Sequence, residues 1–252
     1  MTPDKICDLS ELEVARLLLL HGNRREELGQ LFEVKKHNSA DLVFSGDLRN
    51  VHGIGRQMTR GRIVCESTVG RHAGARMSGG SLVLEGGAGD WLAAEMRGGC
   101  VTAKGAVGQC AGAAYRGARR GMTGGTIWLR SSVGDELGLL MRRGIIVVEG
   151  DCGAFAGASM IAGTLVLLGG VGGRLGAGMK RGTILTTNAG KPSMGFRESC
   201  EYQPTVLPLL RTAVQNIGCE MLTFHPSPMV RCYRGDVLTG GRGELWIMNS
   251  VN

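Results

Sequence analysis

The sequence predicts an all-β chain wound as a parallel β-helix, a solenoid of about seven coils with short helical flanking segments. Three observations carry this. Met58, Met77, Met96, Met122, Met141, Met160 and Met179 stand 19, 19, 26, 19, 19 and 19 residues apart. Around each methionine one frame returns: a small apolar residue with Gly, then Gly or Ala, then Met, then Gly, then an alternating apolar run. Val69-Gly70…Gly74…Met77…Gly80 before Leu82-Val83-Leu84 is one copy, and Cys152-Gly153…Gly157…Met160…Gly163 before Leu165-Val166-Leu167 is another. Finally, 43 of 252 residues are Gly and only 4% are aromatic, so glycine supplies the corners and aliphatics with Met fill the interior. A period of about 20 residues marks a solenoid, whose single unit cannot bury its apolar face without stacked neighbours.

Composition narrows the classes further. Glycine without a three-residue period excludes collagen, and regular apolar runs argue against disorder. We expect residues 1–40 to form an N-terminal helix and cap, 41–190 the β-helix, and 191–252 a C-terminal helix and extended capping segment. The formal charge of +7 is carried largely by Arg. No long Lys/Arg block interleaved with aromatics appears, so nucleic acid is not the expected partner; acidic subunits or an acidic ligand are. Eight cysteines contain no CxxC pair, which removes zinc-ribbon and ferredoxin spacings. Glu11, Glu13 and Arg16 interrupt the apolar N-terminus, and no run approaches the roughly 18 residues of a membrane span. A reduced, cytoplasmic protein with no membrane contact is expected.

Taken in order, Ser10-Glu-Leu-Glu13 reads as a capping box ahead of a helix through Val14 to Leu20, with Gly22 as its C-cap. Leu31 to Val34 look extended. Leu42, Phe44 and Gly46 fit the repeat as an imperfect starter coil. The main strands follow the third glycine of each unit: Ile63–Cys65, Leu82–Leu84, Val101–Ala103, Ile127–Leu129, Ile146–Val148, Leu165–Leu167 and Ile184–Thr186. First and third residues face inward. Coils stacked about 4.8 Å apart would make a rod on the order of 35 Å long, with methionine as one internal ladder. Cys65, where other coils place Leu84, Leu129 and Leu167, reads as a small buried hydrophobe. Corners call for φ > 0, which glycine tolerates freely. Gly53-Ile-Gly55 lacks the context of a nucleotide-binding loop.

The middle residues, Val64, Val83, Trp128, Val147, Val166 and Leu185, should point outward although apolar, Thr102 being the exception. Either the C-terminal segment covers this stripe or a partner does. Beyond it, Pro204 and Pro208 bracket the start of a helix through Leu209–Ile217 that Gly218 ends. Pro226 and Pro228 punctuate a loop, and Met229–Tyr233 with Glu244–Met248 form an extended pair.

Catalytic groups are scarce. His21, His37, His52, His72 and His225 form no HxH or HExxH pair. Asp90, Asp135-Glu136 and Asp151 recur at related corners, where solvation or pairing with neighbouring arginines is expected; a two-carboxylate sugar-active site remains the enzyme alternative. No metal site is expected. The stronger signal is basic. Arg60, Arg97, Arg142-Arg143 and Lys180-Arg181 follow the methionines along one edge, suited to an acidic surface or a carboxylate-rich ligand. The 26-residue interval adds seven residues within Ala114–Gly121, so that Tyr115, Arg116, Arg119 and Arg120 should project from the rod as a contact loop.

The Gly-x-x-x-Gly-x-x-Met-x-Gly-Gly units resemble the GXGXG domain, a right-handed parallel β-helix found in glutamate synthase and in the C subunit of formylmethanofuran dehydrogenase. Gly89-Asp-Trp-Leu-Ala-Ala-Glu-Met-Arg-Gly-Gly99, Ala111-Gly-Ala-Ala-Tyr-Arg-Gly117, Met141-Arg-Arg-Gly144, Met179-Lys-Arg-Gly182 and the tail Tyr233-Arg-Gly-Asp236 are similar to the second, over roughly residues 40 to 248. Cys100, Cys110 and Cys152 look like its bacterial branch. The resemblance implies a non-catalytic member of a formyltransferase/hydrolase complex, without its own active site. That complex converts formyl-tetrahydromethanopterin to formate through a formylated methanofuran-type carrier. Implied partners are a dinuclear-metal, amidohydrolase-like A subunit, with a B subunit, plus a formyltransferase D subunit; no cofactor is implied on this chain. The alternatives are the C subunit of a tungsten or molybdenum dehydrogenase and a glutamate-synthase-like coupling module.

Overall fold

The computed structural model describes residues 2–36, 41–188, 192–215 and 229–248. Eight successive parallel strands build the solenoid: β3 (Asp41–Phe44), β4 (Arg62–Cys65), β5 (Ser81–Leu84), β6 (Cys100–Ala103), β7 (Thr126–Leu129), β8 (Ile145–Val148), β9 (Thr164–Leu167) and β10 (Arg181–Thr186). The starter coil is thus a full rung, one more than the seven that the methionines mark. Its strand pairs in register, Leu42 opposite Ile63 and Phe44 opposite Cys65, although its glycine frame is incomplete. A second parallel ladder of single bridges runs Leu48, Val69, Ala88, Val107, Val133, Cys152 and Val171, closing each coil on its neighbour.

Alternation sorts the side chains as the pleat requires. Ile63, Cys65, Leu82, Leu84, Val101, Ala103, Ile127, Leu129, Ile146, Val148, Leu165 and Ile184 are at most 1% exposed and join all seven methionines in one core. Cys65 is a buried hydrophobe, its thiol pushed up to about 12 by burial.

Met and Gly recur together for a steric reason. A Cβ on Gly99, which holds φ +89°, would lie 2.7 Å from Met77 Cε and 2.6 Å from Gly80 O; Gly144 stands likewise over Met122. Each methionine therefore fills the space left by the glycine of the next coil. Left-handed corners are not reserved for glycine. His72, Trp91, Cys110, Glu136, Phe155 and Arg174 all adopt φ between 60° and 65° at one corner. Cross-coil hydrogen bonds such as Trp91 N–H to Gln109 O (2.8 Å) hold them there against the cost of that conformation.

The N-terminus departs from expectation. The capping box is present, Ser10 and Glu13 bonding reciprocally, but helix α2 spans only Glu11–Ala15, after a short α1 (Pro3–Ile6). Leu18–His21 (β1) instead pairs with Arg24–Glu27 (β2) as a hairpin, and Gly22, at φ +61°, turns it rather than capping a helix. Leu31 closes α3 (Leu28–Leu31), so the chain is extended only from Phe32.

The C-terminal segment returns to the sheet. After β11 (Arg197–Tyr202), helix α4 (Leu207–Gln215) starts two residues earlier than the prolines suggested, and Ile217, Gly218, Pro226 and Pro228 lie outside the described residues. Strands β12 (Val230–Gly235) and β13 (Arg242–Met248) form the expected extended pair. β13 also adds parallel to β10, Gly182 opposite Gly243 and Ile184 opposite Leu245, as though it were one more coil. The outer stripe is divided. Trp128, Val147, Val166 and Leu185 are covered by Leu207, Leu210, Val214, Val230, Cys232, Trp246 and Met248, whereas Val64 and Val83 are half-buried and Val43 is 49% exposed.

Candidate functional site

The seven extra residues leave the coil after Ala114, whose N–H donates to Leu139 O (3.0 Å), and return at Met122, whose N–H donates to Gly112 O (2.9 Å). The loop does not simply project. Tyr115 folds back, stacked on Trp91 with ring centroids 4.9 Å apart, its hydroxyl 3.0 Å from His72 Nδ1 and its ring under the Arg76 guanidinium. Burial lowers the His72 pKa, and nearby Arg56 adds to this, which favours the neutral ring beside the phenol. Arg116 reaches Glu136 at 3.1 Å. Tyr115 and Arg116 therefore anchor the loop, while Arg119 and Arg120 remain exposed.

Arginines on this surface fall into two sets. Arg71, Arg76, Arg116 and Arg130 pair with Asp90, Glu95, Glu136 and Glu149, carboxylates of the neighbouring coil. Where both partners are open to water, as in Arg71–Asp90, such a pair contributes little to stability. The second set has no such compensation. Arg120, Arg142, Arg143 and Arg181 line a cavity of about 620 Å³, floored by Gly144, Ile161, Ala162, Gly163 and Thr164, and none meets a carboxylate among the described residues. Lys180 and Arg119 are exposed but are not among its lining residues.

The cavity follows from the register. At the positions where the Met141 and Met179 coils carry Arg142-Arg143 and Lys180-Arg181, the Met160 coil carries Ile161-Ala162. Short apolar residues between two cationic rungs leave a slot about two coil spacings wide, roughly 10 Å. Guanidiniums on both walls suit carboxylates taken in bidentate fashion. Ile161 and Ala162 are the members that sequence reasoning missed; the signal was a lapse in the basic ridge at one coil.

The recurring carboxylates have another task. Asp90 Oδ1 accepts the Gln109 amide at 3.0 Å and Asp135 Oδ1 the Ala154 amide at 2.7 Å; Asp151 Oδ1 accepts that of Gly170 at 2.7 Å. They tie each coil to the one 19 residues on. His52 does the same, its Nδ1 accepting the Arg71 amide at 3.0 Å. Among the described residues no group of three or more His, Cys, Asp or Glu side chains is placed to hold a metal ion, and no helix is long and apolar enough to cross a membrane.

No family model matches the chain. Its fold superposes on a chain of the formyltransferase/hydrolase complex (FhcABCD) from Methylorubrum extorquens, solved with methylofuran. The TM-score is 0.86 and the identity 33%, over 98% of this chain and 92% of that one. The chain belongs to the formylmethanofuran dehydrogenase C-subunit family. The C subunit of the tungsten-containing formylmethanofuran dehydrogenase 2 of Methanothermobacter thermautotrophicus is 36% identical over 78 residues, and that of Methanothermobacter wolfeii 35%. These matches span 29% of this C-subunit homologue and 29% of each relative.

Proposed function

We propose that the chain is a structural subunit, without an active site of its own, of a multi-subunit complex that converts formyl-tetrahydromethanopterin to formate through a formylated methanofuran-type carrier. The full-length likeness to a chain of the FhcABCD complex at 33% identity supports this above all else. In this reading an amidohydrolase-like A subunit, with its B subunit, hydrolyses the formamide, while a formyltransferase D subunit exchanges the formyl group with the pterin. This chain holds them in place in the cytoplasm. The cationic slot of Arg120, Arg142, Arg143 and Arg181, with Arg119 and Lys180 beside it, receives carboxylates from an acidic subunit surface or a glutamate-rich carrier tail. Tyr115 and Arg116 hold the loop that delivers Arg120.

The test is purification of the tagged chain from its native cells under non-denaturing conditions, followed by mass spectrometry. Recovery of an amidohydrolase-like and a formyltransferase-like protein is the expected result; a lone monomer would undo the proposal. A second reading, the C subunit of a tungsten-containing dehydrogenase, draws on the Methanothermobacter relatives. Tungsten or molybdenum in the purified assembly would favour it.

A further inference from the structure

The outer end of the sheet carries a feature that assembly does not call for. β11 is an edge strand, antiparallel to β12, and Cys200 stands directly opposite Cys232 in that pairing. Directly opposed residues on antiparallel strands point to the same face with Cα atoms about 4.5–5.5 Å apart, inside the range a disulfide spans. The two thiols are unlike. Cys200 is exposed, whereas Cys232 is 2% exposed and packs in the cluster with Trp246, Val230 and Met248 beneath α4.

We propose that Cys200 and Cys232 form a thiol–disulfide exchange site at which a low-molecular-weight disulfide closes a covalent bond between β11 and β12. The accessible Cys200 thiolate attacks the small disulfide, forming a mixed disulfide and expelling one small thiolate. Cys232 then loses its proton and its sulfur attacks Cys200 Sγ, forming the cross-strand bond and expelling the second small thiolate. The two protons released by the cysteines end on the two small thiols, so two cysteines are oxidised as one disulfide is reduced. Burial pushes the Cys232 thiol up to about 11, so its sulfur becomes the attacking thiolate more readily as pH rises. The bond fastens the edge strand to the tail that covers the outer stripe.

The experiment treats the full chain, carrying Cys7→Ser to remove the other exposed described thiol, with oxidised glutathione. Thiol titration and non-reducing peptide mapping follow. The expected result is loss of two thiols per chain, a peptide joining Cys200 to Cys232, and a rate of closure that rises with pH. Cys232→Ser should instead retain glutathione on Cys200, and Cys200→Ser should leave Cys232 unmodified. Glutathione persisting on Cys200 of the Cys7→Ser chain without a cross-link, or an unchanged thiol titre, overturns the proposal even where the Cys232→Ser chain does not fold.

Discussion

Gly243 lies over Met179 across the parallel ladder, in the relation that Gly182 bears to Met160 and Gly99 to Met77. The tail strand has taken the seat of a coil. Asp236 fixes it there: its N–H donates to Met179 O at 3.1 Å, and its buried carboxylate accepts from Gly178 at 3.0 Å and Leu238 at 3.0 Å.

Gly243→Ala should therefore destabilise the chain. The new Cβ would meet Gly235 O at 2.6 Å and Met179 Sδ at 2.8 Å. Overpacking of this kind costs about 1–3 kcal/mol. Gly173→Ala, where nothing lies within 4 Å, is the control and should stay within about 0.5 kcal/mol. Equal denaturant midpoints for the two variants would show that β13 is not seated as described.

Met141→Ala removes a side chain with no exposure from the middle of the ladder. A loss of about 2–5 kcal/mol is expected, since stacked coils collapse poorly into the space left. Urea unfolding followed by circular dichroism measures it. A loss below that range would mean that the ladder repacks.

The cationic slot should matter for association and hardly for folding. Arg142, Arg143 and Arg181 changed together to Ala should leave the melting temperature nearly unchanged, because no intramolecular carboxylate is lost. Recovery of the assembly should fall, and what remains should depend less on salt than the wild-type assembly does, since the exposed charges that salt screens are gone. Wild-type yields of the assembly from the triple variant would remove the slot from the interface.

Buried thiols give a pH dependence with a definite sign. Burial pushes Cys65, Cys110 and Cys152 up to about 12, above the ordinary thiol value of about 8.5. A folded-state value raised in this way contributes stability that is fully present below the unfolded value and is lost as pH rises toward 12. The chain should thus lose stability progressively above about pH 9. In native buffer Cys65, Cys110 and Cys152 should resist alkylation while Cys7 and Cys200 react. Uniform labelling of all five would contradict the burial.

Asp47 supplies the acid counterpart. The Arg49 guanidinium grips its carboxyl at 2.9 and 2.7 Å and holds it down to about 2. A depressed value contributes stability above the unfolded value and loses it as pH falls toward 2. Arg49→Ala should return the Asp47 titration toward about 3.9, read by carbon NMR of the carboxyl.

Much of this architecture was legible because the solenoid repeats one local problem. Met, Gly and the alternating triplet sit at fixed spacing, so the strands and their inward faces followed from Leu82, Leu84 and their equivalents. What escaped lacked repetition. Leu18–His21 carries apolar residues that suit a helix or a strand, and the turn at Gly22-Asn23 chose the hairpin. Arg197–Tyr202 is mostly exposed and polar, so no pattern announced an edge strand. The parallel seat of β13 depends on a contact across the whole C-terminal segment, which no local spacing encodes. In the candidate site, Arg142, Arg143 and Arg181 were visible as a ridge. The slot between them required knowing that Ile161 and Ala162 stack in register with them.

The tail strand also has a bearing on self-association. A coil stack is a template whose last rung invites another of its kind, and rods with two open ends can lengthen without limit. Here the rung after β10 is followed by two antiparallel strands that bring no further methionine, so the template does not continue past Gly243. A parallel coil of a second molecule arriving at that end would meet β11, an antiparallel edge strand, in place of a Met–Gly rung.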